Sequence, residues 1–142
     1  MKKNKPAGGL LNNAGLVEAF FEQGNWLGVV CPRPAYRFIW TLESIPGLLF
    51  KRMHDYEKFS EPSYFEVYEH EDADKGIQIL VYTNRKVNRF LLPELKNIDY
   101  IFCINGPLSS ELFMQQLRTL PSVVHVLELD PEKLPSREML VL

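Results

Sequence analysis

Leu27–Lys51 (LGVVCPRPAYRFIWTLESIPGLLFK) and Ile101–Leu127 (IFCINGPLSSELFMQQLRTLPSVVHVL) follow one plan, and that plan decides the fold. Each opens on an apolar run with a cysteine near its end, Cys31 or Cys103, followed by a Pro-containing turn. Helical spacing comes next. Ala35, Phe38, Leu42 and Ile45 line one stripe, with Ile39 widening it; Phe113, Leu117 and Leu120 line the other. Pro34 suits an early helix position, because its missing N–H costs nothing there. Ser109 or Ser110 can cap the second helix, with Glu111 in its first turn favoured by the helix dipole. Ile45-Pro46-Gly47 and Leu120-Pro121 end the two helices, and an apolar strand follows each.

Between these units lie Tyr64–His70 and Gly76–Tyr82, two strands joined by the polar loop at 71–75. Leu48–Met53 and Val123–Leu129 read as strands, and Val87–Leu92 as a weaker extended piece that Pro93 stops. Two β-α-β units around a meander predict an α+β fold. The sheet is mainly antiparallel, with two helices on one face, in a split β-α-β, ferredoxin-like arrangement with extra strands. Residues 1–15 read as a flexible arm and 16–142 as a single domain. Leu16–Glu22 suits either a helix or a strand, and the apolar tail Met139–Leu142 predicts docking on the body.

Several strands are apolar on both sides. Tyr100, Phe102 and Ile104 oppose Ile101 and Cys103; Ile77, Ile79 and Val81 oppose Leu80 and Tyr82. Two helices hide one face, so the other needs a cover. The N-terminal segment, the C-terminal tail and a second copy are the candidates, and a homodimer is the expectation.

Composition sets the bounds. The chain has 142 residues, a net charge of -2 and a pI near 5.9, which give no general attraction for nucleic acid or an anionic membrane. No run reaches the roughly 18 apolar residues of a membrane helix. The N-terminal stretch lacks the clean apolar core of a secretory signal. With two cysteines and no metal-ligand spacing, the expected state is free thiols, no metal, no cofactor and a cytoplasmic location.

No motif names a reaction, and no catalytic residue is predicted. His54 and His70 read as exposed, and His125, alternating with Val123 and Leu127, as partly buried; none has a nucleophile partner in sequence. The acidic run Glu69–Asp74 lacks the calcium-loop pattern. Arg85, Lys86 and Arg89 form a basic loop too small for nucleic acid. Arg33 and Arg37 flank the start of the first helix, and Ser109 and Ser110 the start of the second. Either place is a candidate small-anion site.

Leu92-Pro93-Glu94-Leu95-Lys96-Asn97-Ile98-Asp99-Tyr100 resembles the signature of the uncharacterised bacterial IPExxxDY family. Pro93, Glu94, Asp99 and Tyr100 match, and Leu92 stands for the isoleucine. The similarity extends over Trp26–Leu142, through LGVVCPRPAYRFIWTLE and Leu129–Leu134. The resemblance implies no activity. Physically, the stretch is a turn: Pro93 ends a strand, Asp99 can accept backbone N–H groups, and Tyr100 opens the next strand with its ring inward. A Glu94–Asp99 carboxylate pair is the chemical alternative. Two functions stay open: a module acting by self-association or partner-protein binding, and a regulatory domain for a small anion or metabolite.

Overall fold

The alternation of both-sided strands with one-sided helices builds a three-layer arrangement around one sheet. A computed structural model describes residues 15–16, 18–53 and 65–142. In chain order the elements are α1 (residues 15–16 and 18–23), β1 (Asn25–Val30), α2 (Ala35–Leu42), β2 (Lys51–Arg52) and β3 (Val67–Asp72). β4 (Ile77–Thr83), β5 (Arg85–Lys86), β6 (Arg89–Phe90), β7 (Tyr100–Asn105), α3 (Ser110–Arg118) and β8 (His125–Leu129) follow, and two 3₁₀ turns end the chain.

The main sheet has six strands in the order β2-β3-β4-β7-β1-β8, each pair antiparallel. β5 and β6 form a separate two-stranded ribbon. The fold is therefore α+β. The two β-α-β units differ in reach: α3 crosses one intervening strand, β1, whereas α2 crosses three.

Both α2 and α3 pack on one face. Phe38, Ile39 and Leu42 join Phe113, Met114 and Leu117 over Leu27, Val29, Ile79, Val81, Phe102 and Ile104. The sequence explains each boundary. Pro34 is the N-cap of α2, and Gly47 reverses the chain after it with φ +88°. Ser109 caps α3 by accepting the Leu112 N–H at 3.2 Å, and Glu111 and Arg118 suit the two ends of the dipole.

The opposite face is covered from within the chain. Residues 16 and 18–22 are helical, and Phe20 and Phe21 of that α1 pack on Trp26 at ring separations of 5.7 and 5.5 Å. Leu91, Leu92 and Ile98 cover the middle of this face, and Leu134 and Leu140 of the tail the remainder, over Leu80, Tyr82, Ile101 and Cys103. Gly28 makes room for this layer: a Cβ there would stand 3.1 Å from the Ile98 methyl. The Tyr82 hydroxyl donates to the Leu140 carbonyl at 2.6 Å, which fastens the tail. The apolar surface that motivated a second copy is thus met by α1, the 91–98 loop and the tail.

Other expectations need correction. The strand predicted over 48–53 is two residues long, because Leu48 to Phe50 leave the ladder: the Phe50 N–H goes to Glu43 instead. His70 is buried rather than exposed, with Nδ1 3.0 Å from the Leu49 carbonyl and its ring against Phe50. His125 is exposed, since β8 is an edge strand and Val126 takes the inward position. The extended piece at 87–92 is the turn and second strand of the β5–β6 ribbon. His54 and the arm at 1–14 lie outside the described residues.

If the tail is part of the core, Leu140→Ala should cost about 2–5 kcal/mol in urea denaturation, as other buried leucines do. A loss below about 0.5 kcal/mol, the scale of a surface change, would show that the tail is not structural.

Candidate functional site

Two prolines force the chain out of the sheet after β1. Pro32 cannot extend a ladder, and the Arg33 N–H folds back on the Cys31 carbonyl at 2.8 Å. The resulting loop is held by the first residues of the neighbouring β7 register. Asp99 Oδ2 accepts the Cys31 N–H at 2.8 Å, and the Tyr100 hydroxyl donates to the Arg33 carbonyl. The Tyr100 ring stacks on Phe38 at 4.2 Å, which seats the first turn of α2. Burial pushes the Tyr100 hydroxyl well above the usual phenol range, so it remains a donor. Burial first, and then the Asp99 charge, also push the Cys31 thiol up, which makes it a poor nucleophile.

Asp99 therefore serves a different partner from the one its sequence position suggests. It does not close its own turn; it clamps the end of β1 and accepts an ion pair from Arg85 Nε at 3.1 Å. The residue that holds the 91–98 loop is Asn84, fully buried. Its side chain donates to the Leu95 and Ile98 carbonyls at 2.9 and 2.8 Å and accepts the Leu92 N–H at 2.9 Å. In Thr83-Asn84-Arg85 nothing local distinguishes that asparagine from a loop residue; its three partners are 8 to 14 positions away.

These contacts frame a cleft of about 630 Å³ at this end of the sheet. Its walls come from the Cys31–Tyr36 segment, Arg52, Glu66, Tyr68, Thr83, the Arg85–Val87 strand and turn, and Asp99–Tyr100. Four cationic side chains (Arg33, Arg52, Arg85, Lys86) face two carboxylates (Glu66, Asp99). Both carboxylates are already matched: Asp99 by Arg85, and the buried Glu66 Oε1 by Lys86 Nζ at 3.0 Å, an ion pair outside hydrogen-bond alignment. Thr83 is 5% exposed, and its Oγ1 is buried with no hydrogen-bond partner. Leaving a buried hydroxyl unmatched costs about 1–3 kcal/mol.

The cleft's lip is strained. Val87 and Asn88 link β5 to β6 with φ of +47° and +57°, the left-handed pair that a two-residue hairpin turn requires. Asn tolerates this conformation; a β-branched valine does so at a cost of about 1–3 kcal/mol. Val87 gains no packing in return, being 81% exposed.

The four predicted anion-site residues are not brought together. Val29 pairs with Tyr100 and Asn25 with Ile104, so α2 starts at one end of the sheet and α3 at the other. Ser109 spends its side chain as a cap, and Ser110 begins α3 behind it. Arg33 lines the cleft with Nε 2.5 Å from Ser122 Oγ, whereas Arg37 is exposed on the outer side of α2. α2 has no side-chain cap and no acid in its first turn; the Arg37 N–H returns to the Pro34 carbonyl at 3.0 Å, which leaves the Ala35 and Tyr36 N–H groups without a cap beside the cleft. Within the signature, Pro93 and Glu94 are exposed, and Glu94 Oε2 accepts the Ser136 N–H at 2.7 Å. Glu94 and Asp99 are committed to different partners, so nothing here makes them an acid–base pair. Among the described residues, no group of three His, Cys, Asp or Glu can hold a metal ion. No helix among them is long and apolar enough to cross a membrane.

No known family model, curated protein or solved structure matches the chain. The IPExxxDY signature has three residues between its Glu and its Asp, whereas four, Leu95 to Ile98, separate Glu94 from Asp99, so Pro93-Glu94 and Asp99-Tyr100 do not fit it in one register.

Two measurements probe these roles. Asp99→Asn keeps an acceptor for Cys31 but loses the charge opposite Arg85. It should cost about 1–3 kcal/mol by analogy with other charge-assisted hydrogen bonds, and unchanged melting would count against the clamp. Partial burial pushes the Glu94 carboxyl up, but the Ser136 N–H, Glu94's own N–H and the Ser136 hydroxyl outweigh it and hold the carboxyl below its ordinary value. The folded value is thus below the unfolded one. The tail contact contributes fully above the unfolded value of about 4.3 and is lost as pH falls through the folded value. The Ser136 amide resonance should titrate with an acid midpoint below about 4.3; a midpoint at or above it would overturn the assignment.

Proposed function

We propose that this chain is a binding module for a small anionic metabolite, taken up in the cleft between the β1–α2 turn and the β4–β5 corner. The observation that carries this reading is the Thr83 hydroxyl, buried and without a hydrogen-bond partner in a wall that also holds Arg33, Arg52, Arg85 and Lys86. An anion with acceptor oxygens suits a wall that carries arginine and lysine side chains. The open first turn of α2 adds N–H donors with the favourable end of a helix dipole. Clefts of a few hundred Å³ are the usual size for a small ligand. The free, buried Cys31 and Cys103 fit a reducing, cytoplasmic setting.

A second reading, partner-protein or self-association, has its own support. Tyr36 and Trp40 stand four residues apart on the outer side of α2, 72% and 74% exposed. Tyr, Trp and the neighbouring Arg37 are the residue types that anchor protein interfaces. The cover over the sheet's second face removes the earlier ground for a homodimer, which makes this the weaker reading.

Thr83→Val tests the first reading with opposite signs in two measurements. The variant keeps the shape and removes an unmatched hydroxyl, so the free protein should melt at the same temperature or a few degrees higher. Inorganic phosphate at millimolar concentrations should raise the melting temperature of the parent by several degrees, and this rise should shrink in the variant. A parent protein indifferent to phosphate, sulfate and aryl phosphates would sink the proposal. So would a Thr83→Val protein that is destabilised yet binds normally.

A further inference from the structure

The two edges of the main sheet are built differently. β2 is two residues long and both are cationic, Lys51 and Arg52; short, charged edges are a common device against unwanted strand pairing. β8 runs five residues, His125–Leu129, with neither proline nor lysine, and among the described residues no strand pairs with its outer side. The backbone shows which of its groups face outward. The Val29 carbonyl of β1 accepts from Asp99 on the β7 side at 2.9 Å, whereas the Val30 carbonyl accepts from Val124 on the β8 side at 2.8 Å. Val126 and Glu128 stand opposite Val29 and Leu27, so their N–H and C=O groups turn away from β1. The Arg118 guanidinium reaches the outward Val126 carbonyl at 3.2 Å and leaves its second lone pair for another donor.

We infer that β8 pairs antiparallel with β8 of a second copy, about a two-fold axis through Leu127, so that one sheet runs through both copies. In that register the outward groups of Val126 and Glu128 bond those of the partner's Glu128 and Val126. Leu127 meets the partner's Leu127 at a non-hydrogen-bonded position, where side chains approach most closely. Leu127 and Leu129 are half-buried against the covered face, and the pairing extends their burial. Glu128 shares the helix-bearing face with Val126; it is exposed and has no ion-pair partner among the described residues. Across the axis it comes beside the partner's Arg118, which sits on Val126. Each copy thus carries the charge that the other lacks, which favours a second copy over an unrelated strand. A single short strand pair makes a small interface, so association in the micromolar range is expected. β8 contributes no residue to the anion cleft, so the two proposals stand or fall separately.

Sedimentation of the full chain across a concentration series should show a monomer–dimer equilibrium. Glu128→Arg should weaken it by about tenfold, because it sets like charges together. Arg118→Glu combined with Glu128→Arg should bring it back to within about threefold of the parent. Both side chains are exposed, so these variants fold. Under mild oxidant Leu127→Cys should link two copies through a disulfide, since a residue on the axis faces itself, whereas Glu128→Cys should not. A chain that stays monomeric at every concentration would overturn the pairing. So would a dimer indifferent to Glu128→Arg, or one linked by Glu128→Cys and not by Leu127→Cys.

Discussion

The hydrogen bond from the Cys31 N–H to Asp99 Oδ2 is the contact on which the working end of the sheet depends. A strand that stops at a proline leaves its last donor without a ladder partner. Asp99 accepts that donor, and its other oxygen takes Arg85. One carboxylate therefore ties three segments together: the end of β1, the entry to β7 and the first residue of β5. Tyr100 adds the next link by bonding the Arg33 carbonyl and stacking on Phe38, which sets where α2 begins. Because both groups are buried and satisfied, the cleft is preorganised: its cations are positioned by contacts that exist without any ligand.

The same logic explains why polar matching differs across the cleft. Asp99, Tyr100 and Asn84 spend their capacity on backbone groups, as buried polar side chains generally do. Thr83, one residue before Asn84, does not. Thr83 Oγ1 and Glu66 Oε1 are the two buried side-chain atoms without a hydrogen-bond partner among the described residues, and both residues line this cleft.

Much of the architecture was legible because period and punctuation agree. Strand alternation at Tyr100–Ile104 and helical spacing at Phe38–Leu42 place the core residues on the correct faces, and Pro34 and Ser109 mark the helix starts, whereas α2 stops at Leu42, short of Pro46. The limits were equally physical. Asn84 is the most heavily used side chain in the 91–98 region, yet its partners are set by tertiary packing, and no local pattern encodes them. The burial of His70 and the exposure of His125 depend on strand order, β3 lying inside the sheet and β8 at its edge. Of the proposed anion-site residues, Arg33 was visible because it follows β1; Thr83, Arg52 and Lys86 reach the same cleft only through pairing between strands distant in sequence.

The cover on the second face joins the two ends of the described chain. Arg137 pairs with Glu18 at 2.6 Å and lies over the Phe21 ring, a contact between positions 119 residues apart. Such separations are closed late, since loop entropy must be overcome before the contact contributes. During synthesis, the helix-bearing face can assemble once β8 has emerged, while the second face, partly covered by α1 and the 91–98 loop, lacks the rest of its cover until Leu134 and Leu140 arrive. The molecule thus passes through a stage with one finished side and one adhesive side. For this protein, the hazardous interval of synthesis is the one before Leu134 and Leu140 emerge.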